Sequence, residues 1–183
     1  MDMKEKIFEI AQRLIQQRGV NGFSYADIAK EVGVSKPSLH HHFATKTDLI
    51  ARLMERYTEQ LTEYLESRTN LSAQEALNAY FNLYRQNIEN ERVCMGGMLS
   101  TEVLTLDPCI HPLLSRFFNY QQEWLTAILK KGQSDGELKL TKTAEQQACL
   151  IIAALQGALI ISRAAGNSTF FNQSITGLYT ELT

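Results

Sequence analysis

Apolar side chains along this chain return at every third or fourth position, and convincing alternation of the strand type is absent. Ile7, Ile10, Ala11, Leu14 and Ile15 make the first stripe, so the spacing predicts an amphipathic helix that stops near Gly19. Ser24 stands three residues before Asp27, the spacing of a capping box, which opens a second helix running to about Val32. Gly33 supplies a turn, and Ser35 caps a third helix that tolerates Pro37 in its first turn. Thr45 and Asp48 repeat the capping spacing ahead of a longer helix with Leu49, Leu53, Tyr57, Leu61 and Tyr64 on its apolar face.

Ser72 and Glu75 mark another start, leading into Ala76, Tyr80, Leu83 and Tyr84. An irregular patch at Cys94 to Gly97 precedes a short helix through Leu99 to Leu106, and Pro108 and Pro112 mark the next break. From Leu113 to Lys130 the stripe is Leu113, Phe117, Tyr120, Trp124 and Ile128, closed by the turn GQSDGE. Thr143 with Gln146 caps a helix carrying Ile151, Leu155, Ala158 and Ser162, and residues 168–183 make one more short helix. The expected fold class is all-α, with a small domain at 1–47 and a larger one at 48–183. The apolar run Ala148 to Ile161 is expected to be a buried helix too short to span a bilayer. Met1 to Glu9 alternates charged and apolar residues, which is unlike a secretory leader.

With 44% hydrophobic and 21% charged residues over 183 positions, disorder and fibrous repeats are excluded and a core needs no staples. The net charge of −2 hides an asymmetry. Residues 1–57 carry nine Lys or Arg against seven Asp or Glu, and the remainder nine against thirteen, a split that suits an anionic partner at one end. Cys94, Cys109 and Cys149 match no zinc or disulfide spacing, which fits reduced thiols in a cytoplasmic protein. Cys109 and Cys149 read as structural.

The chemistry concentrates in DIAKEVGVSKPSLHHHF, Asp27 to Phe43. Two short helices about a glycine turn, packed through Ile28, Ala29, Val32, Val34 and Leu39, form a helix-turn-helix. That leaves Lys36, Pro37, Ser38, His41 and His42 facing outward, donors and compact apolar groups of the kind that read base edges in a major groove. No acidic residue occurs from Ser35 to Thr47. Three adjacent histidines point about 100° apart on a helix and do not converge on one ion, so neither a metal nor any other cofactor is expected.

The run FSYADIAKEVGVSKPSLHHHFATKTDL, with an amphipathic helix before it, resembles the DNA-binding domain of the TetR family of transcriptional regulators. The resemblance implies an N-terminal helix-turn-helix domain followed by a helical effector-binding and dimerisation domain. It implies base contacts from Lys36, Pro37, Ser38 and His41, and phosphate contacts from Tyr25, Ser35, His40, His42 and Lys46. His40 departs from the family, where most members have tyrosine. The implied partners are a palindromic double-stranded DNA operator, a second copy of the chain and a small-molecule effector, with no membrane.

By the same resemblance Tyr80, Tyr84, Cys94, Met95, Met98, Phe117 and Phe118 line an effector pocket. Tyr120, Trp124 and Ile128, with Ala154, Gly157, Ala158 and Ser162, make the dimer contact. The segment RVCMGGMLSTEV is similar to a TetR subgroup whose cysteine senses electrophiles, with a glutamate eight residues on, here Glu102. A thiol beside a helix N-terminus and an arginine, here Arg92, is expected to react as its thiolate. Two alternatives remain beside the regulator: a thiol-dependent helical enzyme built on Cys94, and a helical interaction module that binds no DNA.

Overall fold

In the computed structural model, which describes residues 2–182, helix follows helix and no strand occurs among those residues. Met1 and Thr183, which the expected domains and tail helix include, lie outside them.

Helix α1, Met3–Arg18, turns Ile7, Phe8, Ala11, Leu14 and Ile15 inward and ends at Gly19. The Ser24–Asp27 capping box opens α2, Tyr25–Val32, with the reciprocal hydrogen bonds that its sequence predicts. Gly33 then takes a left-handed conformation, φ 83°, which an L side chain adopts only under strain. Ser35 accepts the Ser38 amide to cap α3, Lys36–His42, and Pro37 sits where its missing N–H is harmless. Helix α4 runs over Lys46–Glu66, α5 over Ala73–Glu89 from the Ser72–Glu75 capping box, and α6 over Met95–Thr101, followed by a 3-10 turn, Val103–Thr105. Helices α7, Ile110–Ser134, α8, Ala144–Ala165, and α9, Thr169–Leu182, complete the chain.

Contacts divide the protein into two units other than the expected 1–47 and 48–183. The first is Met1–Glu59 with Met95–Phe117, and the second is Gln60–Cys94 with Phe118–Thr183. The first takes in α6 because α6 packs on α1. Its core holds Ile7, Leu14, Ile28, Leu39, Phe43, Leu49 and Leu53, all essentially inaccessible. Phe8 and Phe43 meet at 5.1 Å, and Arg56 covers Phe8 while paired with Glu5. Gly96 has no alternative here, since a Cβ would lie 2.5 Å from the Phe117 ring.

In the second unit α8 packs against α5 and α9. Two boundaries differ from expectation. Pro112 falls inside the first turn of α7 instead of breaking the chain, and α7 continues through Gly132, which packs on Ala73 and Leu138. The run around Ala148 to Ile161 lies in a helix of 22 residues, long and apolar enough to cross a membrane by length and composition. Only one of its faces is buried, along Ala144, Gln147, Ala148, Ile151, Leu155, Ala158, Leu159 and Ser162. Cys109 and Cys149, read as structural, are both exposed, the latter on α8.

Candidate nucleic-acid interface

The α3 surface follows from its two anchors. Leu39 and, just beyond the helix, Phe43 are fully buried, which fixes one side of a seven-residue helix inward. Lys36, Pro37 and His41 are exposed and Ser38 half-buried. Pro37 and His41 are four residues apart, and Ser38 and His41 three, so these side chains share the outward face. The acids on either flank are neutralised: Glu31 pairs with Arg13, and Asp48 with Arg52 at 2.8 Å. The result is a donor-rich surface with no unpaired carboxylate beside it, which suits base edges and the phosphates around them.

The residues expected on phosphates divide into two sets. Ser35 and His42 remain at the surface, exposed and half-buried respectively. Tyr25 donates to the carbonyls of Phe43 at 2.9 Å and Thr45 at 3.0 Å, and burial followed by the Asp48 charge pushes its phenol up to about 12. One hydroxyl proton engaged in this way is not available to a phosphate. Lys46 is half-buried and directs two of its three donors to the carbonyls of Val20 and Phe23, its charge disfavoured chiefly by burial. His40 Nδ1 donates to the Ala44 carbonyl at 3.1 Å, which leaves Nε2 for any outward contact. Tyr25 and His40 thus hold the carbonyls that follow α3, and Lys46 holds those of the turn between α1 and α2.

The family model described as bacterial regulatory proteins, tetR family, matches residues 7–53, which span α1 to the middle of α4. A TetR-family transcriptional regulator from Agrobacterium tumefaciens superposes with a TM-score of 0.93 at 31% identity, covering 99% of this chain and 97% of that one. This chain belongs to the TetR family.

A second TetR regulator, from Legionella pneumophila, superposes at TM-score 0.91 with 27% identity over 100% of this chain and 98% of its own. The HTH-type transcriptional repressor DhaR of Mycobacterium sp. (strain GP1) is 22% identical over 98% of this chain and 92% of its own length. TetR proteins are transcriptional regulators, and the thiol-enzyme alternative is set aside.

The effector residues expected of a TetR protein fall in both units. In the first, Met95 and Phe117 are buried and Met98 half-buried. In the second, Tyr80, Tyr84 and Cys94 are buried and Phe118 half-buried. Sequence reasoning missed two polar partners there. Tyr80 and Tyr84 both donate to the Gln121 amide oxygen, at 2.8 and 3.3 Å, and Gln156 Nε2 donates to the Tyr84 hydroxyl at 3.2 Å. The other end of that amide, Gln156 Oε1, is buried without a partner. Burial pushes the Tyr80 phenol far up, so it stays a neutral donor.

The expected dimer set needs correction. Trp124 is 7% exposed, donates to the Leu65 carbonyl at 3.1 Å and stacks on Tyr80, while Ile128 and Ala158 are each 1% exposed. Ser162 is buried and accepts the Phe171 amide. These four serve the core of one chain. Tyr120, Ala154 and Gly157 keep partial exposure, and Gly157 faces open space. Around the last two lie Leu150, Ile160 and Ile161, 42–45% exposed, with Ala153 between. Together they form one apolar stripe on α8 at helical spacing.

Proposed function

We propose that this TetR regulator is a homodimeric repressor that grips a palindromic operator through Lys36, Pro37, Ser38 and His41 and releases it on binding a small hydrophobic effector. The observation that carries the reading is the outward α3 face, rich in donors, with both flanking acids already paired to arginines. DhaR, similar over 98% of this chain, is named a repressor, which supports the negative sense of control. One reading head per chain requires a twofold partner to cover a palindrome. The α8 stripe of Leu150, Ala153, Ala154, Gly157, Ile160 and Ile161 is the surface we assign to it.

The effector reading rests on Tyr80, Tyr84 and Gln121, with Gln156 Oε1 offering an acceptor to a ligand that brings a donor. Helix α4 begins four residues after α3 ends, so a shift of α4 moves the reading head and changes half-site spacing. An effector drives that shift only by its different affinity for the two states.

Selection of duplexes from a randomised pool tests the DNA reading. The wild type should enrich a palindrome, and Lys36→Ala should enrich a degenerate version of it. Equal enrichment by both would remove Lys36 from base recognition. An interaction module would enrich nothing. Cys94 supports a second release mechanism, because it directly precedes α6, yet it is only 4% exposed. Treatment of the DNA complex with a quinone decides this: release by wild type and retention by Cys94→Ser would establish the thiol switch, and equal behaviour would leave Cys94 as a packing residue.

A further inference from the structure

Residues 19–23, which carry the chain from α1 to α2, are clamped by three side chains far away in sequence. We propose that one of them, Glu102, is a positioning residue for the DNA-reading helix, an inference that rests on the operator-binding reading above. Glu102 stands between α6 and the 3-10 turn. Its Oε2 accepts the Val20 amide at 2.5 Å and its Oε1 the Asn21 amide at 3.0 Å. Three residues further on, Thr105 Oγ1 accepts from Asn21 Nδ2 at 3.0 Å. From the carbonyl side Lys46 donates to Val20 and Phe23, with its ammonium 4.1 Å from the centre of the Phe23 ring.

Gly19 shows how closely the carboxylate is seated. Its φ is +73°, and a Cβ there would lie 2.8 and 2.9 Å from the two Glu102 oxygens, so the carboxylate fills the place of a side chain. The demand for an acceptor is physical. Val20 is 5% exposed, α1 has ended and α2 has not begun, and a buried amide without an acceptor is costly.

The consequence for DNA runs through the turn. Helix α2 starts from Ser24, directly after it, α3 packs on α2, and Lys46 on the opposite side of the turn is the first residue of α4. The turn therefore sets the direction of α2 and α3 against α4. Glu102 lies outside the α3 reading face and acts on it by holding two amides.

The test compares wild type, Glu102→Gln and Gly19→Ala on a duplex selected by wild type from a randomised pool, well below the melting point. The Gln amide keeps the shape but loses one acceptor oxygen, and the Ala methyl pushes the carboxylate off its seat. Both variants should bind about tenfold more weakly and exchange the Val20 and Asn21 amide protons faster, with the Leu53 amide of α4 unchanged. Rescue by Glu102→Asp should be partial, because one methylene less lets the carboxylate reach one amide only. If faster exchange at Val20 and Asn21 leaves the affinity at the wild-type value, or if the only effect is a lower melting point, the positioning role is overturned. If the wild type selects no duplex at all, the operator reading falls, and this inference with it.

Discussion

Tyr25 and His40 meet with ring centroids 4.7 Å apart and planes tilted by 32°, and between them they hold three successive carbonyls, those of Phe43, Ala44 and Thr45. One side chain comes from α2 and the other from α3, so the pair ties both helices to the bend that leads into α4. Histidine at 40 suits this arrangement because its Nδ1 reaches a carbonyl while its ring lies against the tyrosine.

Tyr25→Phe keeps the ring and removes both donations. It should lower stability by about 1–3 kcal/mol, read as a drop in melting temperature, because the Phe43 carbonyl in a part-buried hydrogen bond and the Thr45 carbonyl in an exposed one both lose their donor. His41→Ala, on an exposed side chain, should leave the melting temperature unchanged. Equal melting temperatures for Tyr25→Phe and wild type would show that the tyrosine hydroxyl is not engaged in the fold.

Lys36, the first residue of α3, and Lys46, the first of α4, should separate in the same way. Lys36→Ala should weaken binding to the selected operator about tenfold without changing the fold, as loss of one good base contact does. Lys46→Ala removes donors from the Val20 and Phe23 carbonyls and should lower thermal stability. Circular dichroism melts of both variants beside a binding titration distinguish them, and a destabilised Lys36 variant would contradict the assignment.

Helix starts were legible in the sequence because capping boxes are local. Ser24 with Asp27, Ser72 with Glu75 and Thr143 with Gln146 need no tertiary partner to be recognised, and each opens a helix. Pro112 and Gly132 misled because their meaning depends on position: a proline in the first turn starts a helix, and a glycine pressed against Ala73 and Leu138 continues one. In the candidate site, exposure of Lys36, Pro37 and His41 followed from the apolar spacing, whereas the inward turn of Tyr25 and Lys46 did not. Carbonyl partners such as Thr45 for Tyr25 and Val20 for Lys46 carry no side-chain signature. The α8 faces were confused for a related reason, since Ala158 and Gly157 are neighbours in sequence and small alike, yet one is buried and the other meets open space.

Replacement of Ile160 by Asp tests the α8 surface. An aspartate in the middle of the stripe should shift the sedimentation coefficient from dimer to monomer and weaken palindrome binding at least tenfold. Trp124→Ala should instead cost about 3–5 kcal/mol of folding stability through the cavity it leaves. A dimeric Ile160→Asp protein would place the interface elsewhere.

Gln156→Leu removes a buried carbonyl that has no partner, at the loss of one hydrogen bond to Tyr84. Stability should hold or rise by about 1 kcal/mol, since an orphaned acceptor costs as much as a hydrogen bond contributes. A marked fall in melting temperature would mean that the oxygen is already satisfied in solution.

Acid should loosen α2. Two hydrogen bonds from Ser24, backbone first and hydroxyl second, hold the Asp27 carboxyl below its ordinary value of 3.8. A carboxyl whose folded pKa is depressed contributes stability above its unfolded value and loses it as pH falls through the folded one. Melting temperature should therefore fall below about pH 4, and Asp27→Asn should flatten that part of the profile. An unchanged acid slope in the variant would remove Asp27 from the linkage.

The central claim is that α3 reads DNA, and fluorescence anisotropy on duplex from upstream of the protein's own gene, against a scrambled duplex of equal length, tests it most directly. Raising salt from 50 to 200 mM should weaken binding to both duplexes by orders of magnitude, since phosphate contacts release counterions, while the preference for the upstream duplex persists and Lys36→Ala reduces it about tenfold. Equal affinity for the two duplexes, with no change on replacing Lys36, would contradict the account.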